Sequence, residues 1–389
     1  MTISLKDKAA VAGIGCTEFS KKSGRSELAL ASEAVRAAAE DAGLPISEID
    51  GLVSYTLDST DEIELARSVG AGDLTFYSKI NYGGGAAVGV VHQAVMAIAT
   101  GQANNVVVYR GMNGRSGRRN GQGVAGDIVT SDLVHWSWYQ VYGMLTPGSW
   151  IAMIAHKYMQ RFGVTAEDLG RVAIAQRNFA CNNPRAFGYQ KPLTMEQYLA
   201  GKMIAYPLRL FDFCQESDGA VAILLTSTER ARDLRQKPVV VRGITQASSR
   251  GQEQMTSFYR DEIDSLPEME LAARRVYAMS GLQPSDIDAS CLYDAFTSEV
   301  VMQLESFGFC PRGEAKDFIR DGNLELDGRL PNNTHGGLLS EAYIHGLNNV
   351  AEGARLIRGT STNQPDKVEH VLVSSGVGVP TGALIFGAD

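Results

Sequence analysis

The chain has 389 residues, 44% of them apolar, and a net charge of −8 at neutral pH. That is enough apolar material for one large core or two ordinary ones, and the acidic balance argues against nucleic acid or an anionic membrane surface as a partner. No stretch reaches the ~18 consecutive apolar residues of a membrane span and residues 1–8 lack the apolar run of a signal peptide, so we expect a soluble, cytoplasmic protein.

Along the chain, residues 28–41 carry apolar side chains at helical spacing and run into Gly43, a helix stop. Residues 43–50 then read Gly-Leu-Pro-Ile-Ser-Glu-Ile-Asp and lead to Tyr55 through an apolar stretch. A glycine cluster (Gly83, Gly84, Gly85), an apolar helix and a β-rich strand around Val106, Val107 and Val108 follow. From about residue 111 to 207 the pattern breaks. A glycine- and arginine-rich run containing Arg115, Arg118 and Arg119 precedes the aromatic group His135, Trp136, Trp138, Tyr139, Tyr142 and Trp150. We read this region as a long inserted loop capping a site, the basic run as a solvated loop before a phosphate site, and the aromatic group as packing that an apolar substrate could also use.

Beyond the insert the opening phrase returns. Residues 271–279 have helical spacing, residues 281–288 read Gly-Leu-Gln-Pro-Ser-Asp-Ile-Asp and lead to Tyr293, and Gly336 with Gly337 precedes a strand at Val371, Leu372 and Val373. Alternating α and β segments with β-branched strands predict an α/β molecule of two similar halves related by a pseudo-twofold axis, with mainly parallel sheets covered by helices. The halves are residues 1–245, including the insert at 111–207, and residues 246–389. Five scattered cysteines (Cys16, Cys181, Cys214, Cys291, Cys310) support neither a zinc site nor a disulfide framework.

Two loops carry the most specific pattern. Leu292, Tyr293, Asp294, Ala295 and Phe296 resemble the first catalytic loop of the thiolase superfamily, which reads Asn-Glu-Ala-Phe, or His-Asp-Cys-Phe in the sterol-carrier branch. Residues 335–346, with Gly336, Gly337 and then Tyr343, resemble the second, Gly-Gly followed by Gly-His-Pro. Tyr293 falls on the Asn/His position and Tyr343 on the histidine. Residues 206–222 resemble the family's Pro-Leu-Arg and Ser-Asp-Gly-Ala-Ala segment, so the likeness spans nearly the whole chain and is nearest to the lipid-transfer or sterol-carrier branch. It implies a layered αβαβα fold and an acyl-CoA thioester as substrate.

Claisen chemistry on such a thioester needs a nucleophilic thiolate and a second acid/base. Gly84 falls at the family's nucleophile position with no cysteine near it in the sequence, and Ser375 falls near the second cysteine. Retro-aldol cleavage of a β-hydroxyacyl-CoA needs no nucleophile: a base takes the hydroxyl proton, donors hold the thioester enolate, and an acid protonates Cα. Tyr293 and Tyr343 are the candidate acid and base. With a free phenol near pKa 10, the base needs a lowered pKa or a relay, for which His335, His345 and Asp294 are the supporting candidates. Gly84 is expected to leave room for a bulky carbinol carbon, and the backbone of Gly83, Gly84 and Gly85 to donate to the oxyanion. A lone buried tyrosine is commonly packing, as we read Tyr55. The joint position of Tyr293 and Tyr343 on two catalytic loops favours chemistry for them.

Within the superfamily the pattern is similar to the lipid-transfer-type aldolases of bacterial steroid side-chain degradation. That resemblance implies cleavage of 17-hydroxy-3-oxo-pregnene-20-carboxyl-CoA to androstenedione and propionyl-CoA, with no metal and no cofactor beyond the CoA of the substrate. It also implies a DUF35 partner of OB-fold type in an α₂β₂ assembly. The homodimer is expected through a strand near residues 101–110, and the insert around 115–150 is expected to take the partner. The alternative is a catalytically inert acyl-CoA- or sterol-binding subunit.

Overall fold

The computed structural model describes residues 4–81, 83–117, 119, 131–253, 255, 257–377 and 381–389, with the side chains of 131–135 excepted. Arg118 and residues 120–130, the side chain of His135, and residues 378–380 therefore lie outside the described residues.

The first half runs β1 (Ala9–Cys16), α1 (Glu27–Ala42), β2 (Gly51–Tyr55), α2 (Glu62–Val69), β3 (Phe76–Ile80), α3 (Ala86–Ala99) and β4 (Asn105–Asn113). The insert follows as α4 (Ser131–Gln140), α5 (Pro147–Phe162), α6 (Ala166–Asn182), α7 (Met195–Leu199) and a hairpin of β5 (Met203–Ala205) and β6 (Leu208–Arg209). After β7 (Asp218–Ser227) and α8 (Thr228–Ala231), the second half runs β8 (Val239–Ala247), α9 (Pro267–Ser280), β9 (Ala289–Cys291), α10 (Thr297–Ser306), α11 (Ala315–Arg320), α12 (Gly337–Ser340), α13 (Leu347–Arg358), β10 (His370–Ser375) and β11 (Thr381–Ala388).

The repeated phrase does the same physical work twice. Each copy begins with a glycine in the left-handed region that ends a helix, Gly43 at φ 69° and Gly281 at φ 76°. Each ends in an aspartate that clamps a strand. Asp50 accepts from the backbone N–H groups of Asn104 and Asn105 at the start of β4, and Asp288 from those of Glu369 and His370 at the start of β10. Strand neighbours match accordingly. β2 pairs parallel to β4, which pairs antiparallel to β7 and then β1; β9 pairs parallel to β10, which pairs antiparallel to β11 and then β8. The boundary set at residue 245 falls inside β8, the first strand of the second half.

The two sheets are not separate. β1 and β8 pair antiparallel at Ala10↔Val240 and Val11↔Val239, joining every strand outside the β5–β6 hairpin into one nine-stranded sheet of order β3-β2-β4-β7-β1-β8-β11-β10-β9. Around this seam the layers still form. α3 packs on β2, β4 and β7 of one half and on β8, β10 and β11 of the other, and α13 packs beside it, so these two helices lie between the halves. α1 and α9 cover the outer faces. The layering follows from burial: Val88, Val90, Val91 and Val95 of α3 are all fully buried, as a helix flanked by sheet on both sides requires.

Three expectations are corrected. The sheet is mainly antiparallel, in five of its eight strand pairings, because β7 and β11 return beside β4 and β10 and the halves meet through β1 and β8. The insert is largely helical, and its α5 and α6 share an apolar core with α9 and α10 through Ile151, Tyr158, Leu169, Val172, Val276 and Val300. Strand β4, within the segment proposed as a dimer edge, is internal, flanked by β2 and β7; the free edge on that side of the sheet is β3.

Candidate active site

The two tyrosine loops are fixed by backbone contacts before their side chains do anything. Tyr293 follows β9, and its N–H donates to Ser374 Oγ at 2.9 Å, which in turn donates to Gln303 Oε1 at 2.6 Å. Gln303 closes the ring by donating to the Tyr293 carbonyl at 2.6 Å. The Tyr343 N–H donates to the Gln215 carbonyl at 3.0 Å and to Ser217 Oγ at 3.1 Å. The chain between insert and β7 is thereby laced to both loops, since the Cys214 N–H also donates to the Ala295 carbonyl at 2.9 Å.

From these anchors the two phenols meet. Their hydroxyls are 2.9 Å apart, and both residues are buried. Burial pushes both phenols well above their ordinary value, so both are protonated at neutral pH. The glycine turn at the N-terminus of α3 lies against them. A Cβ built on Gly84 would stand 1.7 Å from the Tyr293 hydroxyl oxygen, so the space expected for a carbinol carbon is taken by that hydroxyl. The turn is held from beneath by Ser375, whose Oγ donates to the Gly85 carbonyl at 3.1 Å.

The supporting residues divide. His345 belongs to the phenol side: its ring meets Tyr343 edge to face at 5.1 Å, and its Nε2 lies where a Cβ on Gly83 would come within 2.9 Å. Tyr55, read as structural, packs beside His345 with ring centroids 6.1 Å apart. Asp294 and His335 sit behind the loops, with no hydrogen bond to either phenol among the described residues. Asp294 accepts from the Leu339 N–H at 3.2 Å and from Asn349 Nδ2 at 3.1 Å; Asn349 Oδ1 in turn lies 3.2 Å from His335 Nε2. Burial raises the Asp294 carboxyl to about 6. This closure needs Gly337, at φ 63°, because a Cβ there would come within 2.1 Å of Asp294 Oδ2. Asp294 and His335 thus join one loop to the other.

Other groups have no sequence motif to announce them. Arg110 Nε donates to His345 Nδ1 at 3.0 Å, and its Nη1 forms a buried ion pair with Asp58 at 2.9 Å. Glu299, buried at the start of α10, has its acid pushed well up by burial. Cys214 adjoins the phenols, and burial pushes its thiol up too, away from nucleophilic thiolate chemistry. Among the described residues no group of three His, Cys, Asp or Glu side chains could hold a metal ion.

Comparison with known proteins gives this geometry its context. Residues 249–386 match the family model "Thiolase C-terminal domain-like". The chain is 56% identical over 387 residues to the "Steroid side-chain-cleaving aldolase" of Thermomonospora curvata, covering 99% of both chains. It is 54% identical over 385 residues to the "17-hydroxy-3-oxo-4-pregnene-20-carboxyl-CoA lyase" of Mycobacterium tuberculosis, covering 98% of this chain and all of that one. Among solved structures, the "Ltp2-ChsH2(DUF35) aldolase" superposes with a TM-score of 0.96 at 55% identity over the whole of this chain and 99% of that chain. Fold, loop pattern and these identities together show that the chain belongs to the thiolase superfamily, in the branch that holds the steroid side-chain-cleaving aldolases.

Proposed function

We propose that the protein is a carbon–carbon lyase that cleaves the side chain of a steroid β-hydroxyacyl-CoA, with 17-hydroxy-3-oxo-4-pregnene-20-carboxyl-CoA as substrate and androstenedione and propionyl-CoA as products. The observation that carries the mechanism is the 2.9 Å contact between the Tyr293 and Tyr343 hydroxyls beside the Gly84 turn. One phenol takes the proton of the C17 hydroxyl while passing its own to the other. The C17–C20 bond breaks, its electron pair enters the thioester enolate, and C17 becomes the ketone. The second phenol delivers its proton to C20. Both phenols are neutral before and after, so their raised pKa values are no obstacle to a concerted relay. Backbone N–H groups of Gly83, Gly84 and Gly85 at the N-terminus of α3 supply the enolate donors, while Asp294 and His335 keep the loops together. The thioester is the electron sink, so the step calls on no metal or redox cofactor.

For the assembly we propose a homodimer through the free edge of β3, with one DUF35 protein on each protomer at the exposed end of α4. There Trp138, Val141 and Tyr142 are 74, 78 and 82% exposed. The "Ltp2-ChsH2(DUF35) aldolase" supports a partner of that type. The described helices include none long and apolar enough to cross a membrane, and no disulfide is present among the described cysteines. A cytoplasmic location fits both.

The test is incubation of the purified chain, alone and with its DUF35 partner, with the steroid β-hydroxyacyl-CoA. Propionyl-CoA and the C17 ketone should form in equal amounts. Tight binding of the thioester with no product under either condition would support the inert binding subunit instead.

A further inference from the structure

The buried pair Arg110 and Asp58 has no part in the relay above, yet it reaches the site through one atom. Arg110 Nε–H points at His345 Nδ1 at 3.0 Å, and a guanidinium only donates. The acceptor Nδ1 therefore carries no proton. Because the guanidinium is also held to Asp58 Oδ2 and to the Gly111 carbonyl, it cannot turn away: Nη1 lies 2.9 Å from the carboxylate and 2.7 Å from the carbonyl. Asp58 is fixed in its turn by the backbone N–H groups of Gly111 and Thr60, at 3.1 and 2.8 Å. His345, Arg110 and Asp58 are all buried, at 4, 3 and 5% exposure.

A histidine whose Nδ1 must accept is neutral and holds its proton on Nε2. That nitrogen faces Gly83, next to Gly84 and the Tyr293 hydroxyl, with Tyr343 packed edge-on against the ring. Among the described residues Nε2 has no hydrogen-bond partner. The imidazole is held there by a backbone at φ 50°, a conformation non-glycine residues rarely adopt. A neutral, fixed N–H beside the two phenols is the group that a developing thioester enolate needs.

We infer that His345 is a catalytic hydrogen-bond donor to the thioester oxygen, acting as the neutral Nε2–H tautomer, and that Arg110 and Asp58 are positioning residues that set this tautomer. The inference rests on the retro-aldol reading for the identity of the oxygen, but the tautomer does not. Bond accounting is unchanged: His345 donates a hydrogen bond and keeps its proton, while the phenols move theirs.

Three measurements test it on the chain co-purified with its partner. Neutron diffraction should find a deuteron on His345 Nε2 and none on Nδ1; a deuteron on Nδ1 overturns the inference. His345→Leu removes the donor and should lower kcat by about 10²–10³-fold with KM little changed, as for loss of one oxyanion donor. His345→Gln offers an N–H at similar reach and meets the same cost at φ 50°, so it should recover part of that loss. Equal activity of the Leu and Gln variants, or wild-type turnover in the Leu variant, overturns the catalytic role. The double variant Arg110→Met/Asp58→Asn leaves no lone buried carboxylate. It removes the positive charge that adds to burial in holding His345 unprotonated, so the acid-side ionisation in kcat/KM should move to higher pH, and an unchanged pH profile overturns the positioning role. Failure of the retro-aldol reading is distinguishable, because the wild-type protein would then release no short acyl-CoA at all.

Discussion

The hydroxyl of Tyr293 occupies the position where a side chain on Gly84 would begin. A Cβ there would lie 1.7 Å from the hydroxyl oxygen and 2.1 Å from Cζ. The absence of a side chain at 84 and the presence of a long one at 293 are thus a single structural fact. A nucleophile rooted at this turn and a phenol reaching over it exclude each other, as the proposed proton-transfer mechanism requires.

That exclusion predicts strong coupling between the two positions. Gly84→Ala should lower the thermal midpoint and cut cleavage by about 10²-fold or more, the scale of a catalytic group displaced by roughly 1 Å. On a Tyr293→Ala background the same glycine change should cost little stability. A double-mutant cycle should give a coupling energy above about 1 kcal/mol, and additive effects on the unfolding free energy would refute the steric account.

Tyr293→Phe and Tyr343→Phe each remove one hydroxyl from the proposed relay while keeping the ring in its core. Each should lower cleavage by roughly 10²–10⁴-fold. Since both phenols serve one proton path, the double variant should lose little beyond the worse single one. Fully multiplicative losses would mean that the two hydroxyls act in separate steps.

Much of this was legible because it was written in local patterns. The repeated phrase ending in Asp50 and Asp288 corresponds to matching strand neighbours, and the two loops with the thiolase pattern carry Tyr293 and Tyr343. The helical insert was also readable, by its capping residues: the Asp168 carboxylate accepts from the Thr165 N–H at 2.9 Å, and the Gln197 side chain from the Thr194 N–H at 3.0 Å. The basic run before it has the glycine-rich composition of a loop, although its described Arg119 pairs with Glu216. What could not be read were contacts without local spacing. Arg110 and His345 are 235 residues apart, and the β1–β8 seam rests on two residue pairs. Neither leaves a periodicity or motif in either segment.

His345 also makes a prediction about pH and stability. Burial, and then the Arg110 charge, hold its pKa well below the ordinary value, so below about pH 6.5 the unfolded chain binds a proton that the folded chain refuses. Its contribution is complete above that pH and lost as the pH falls. Asp294, raised by burial to about 6, works in the opposite sense, adding stability in acid that is lost as pH rises toward 6. Comparison with His345→Gln cancels the Asp294 contribution. The charged and titratable groups facing the imidazole are Arg110, Asp58, Tyr55 and Tyr343. From about pH 7 to about pH 5, wild type should lose about 2 kcal/mol relative to the variant in denaturant titrations. A constant difference would show that His345 titrates normally in the folded protein.

The proposed assembly uses two separate surfaces of one chain. Strand β3 pairs on one side only, with β2, and Tyr77 on it is 64% exposed; an open edge of this kind is a template for a second copy. Trp138 and Tyr142 lie at the far end of α4, where large exposed aromatic side chains are the type that anchors a partner. Tyr77→Lys should therefore turn an α₂β₂ complex into an αβ one, still holding its DUF35 protein. The pair Trp138→Glu and Tyr142→Glu should leave a bare α₂ dimer. Mass measurement in solution reads both outcomes directly. Loss of the DUF35 protein with Tyr77→Lys, or an intact α₂β₂ complex with the glutamates, would mean that the two interfaces have been assigned to the wrong faces.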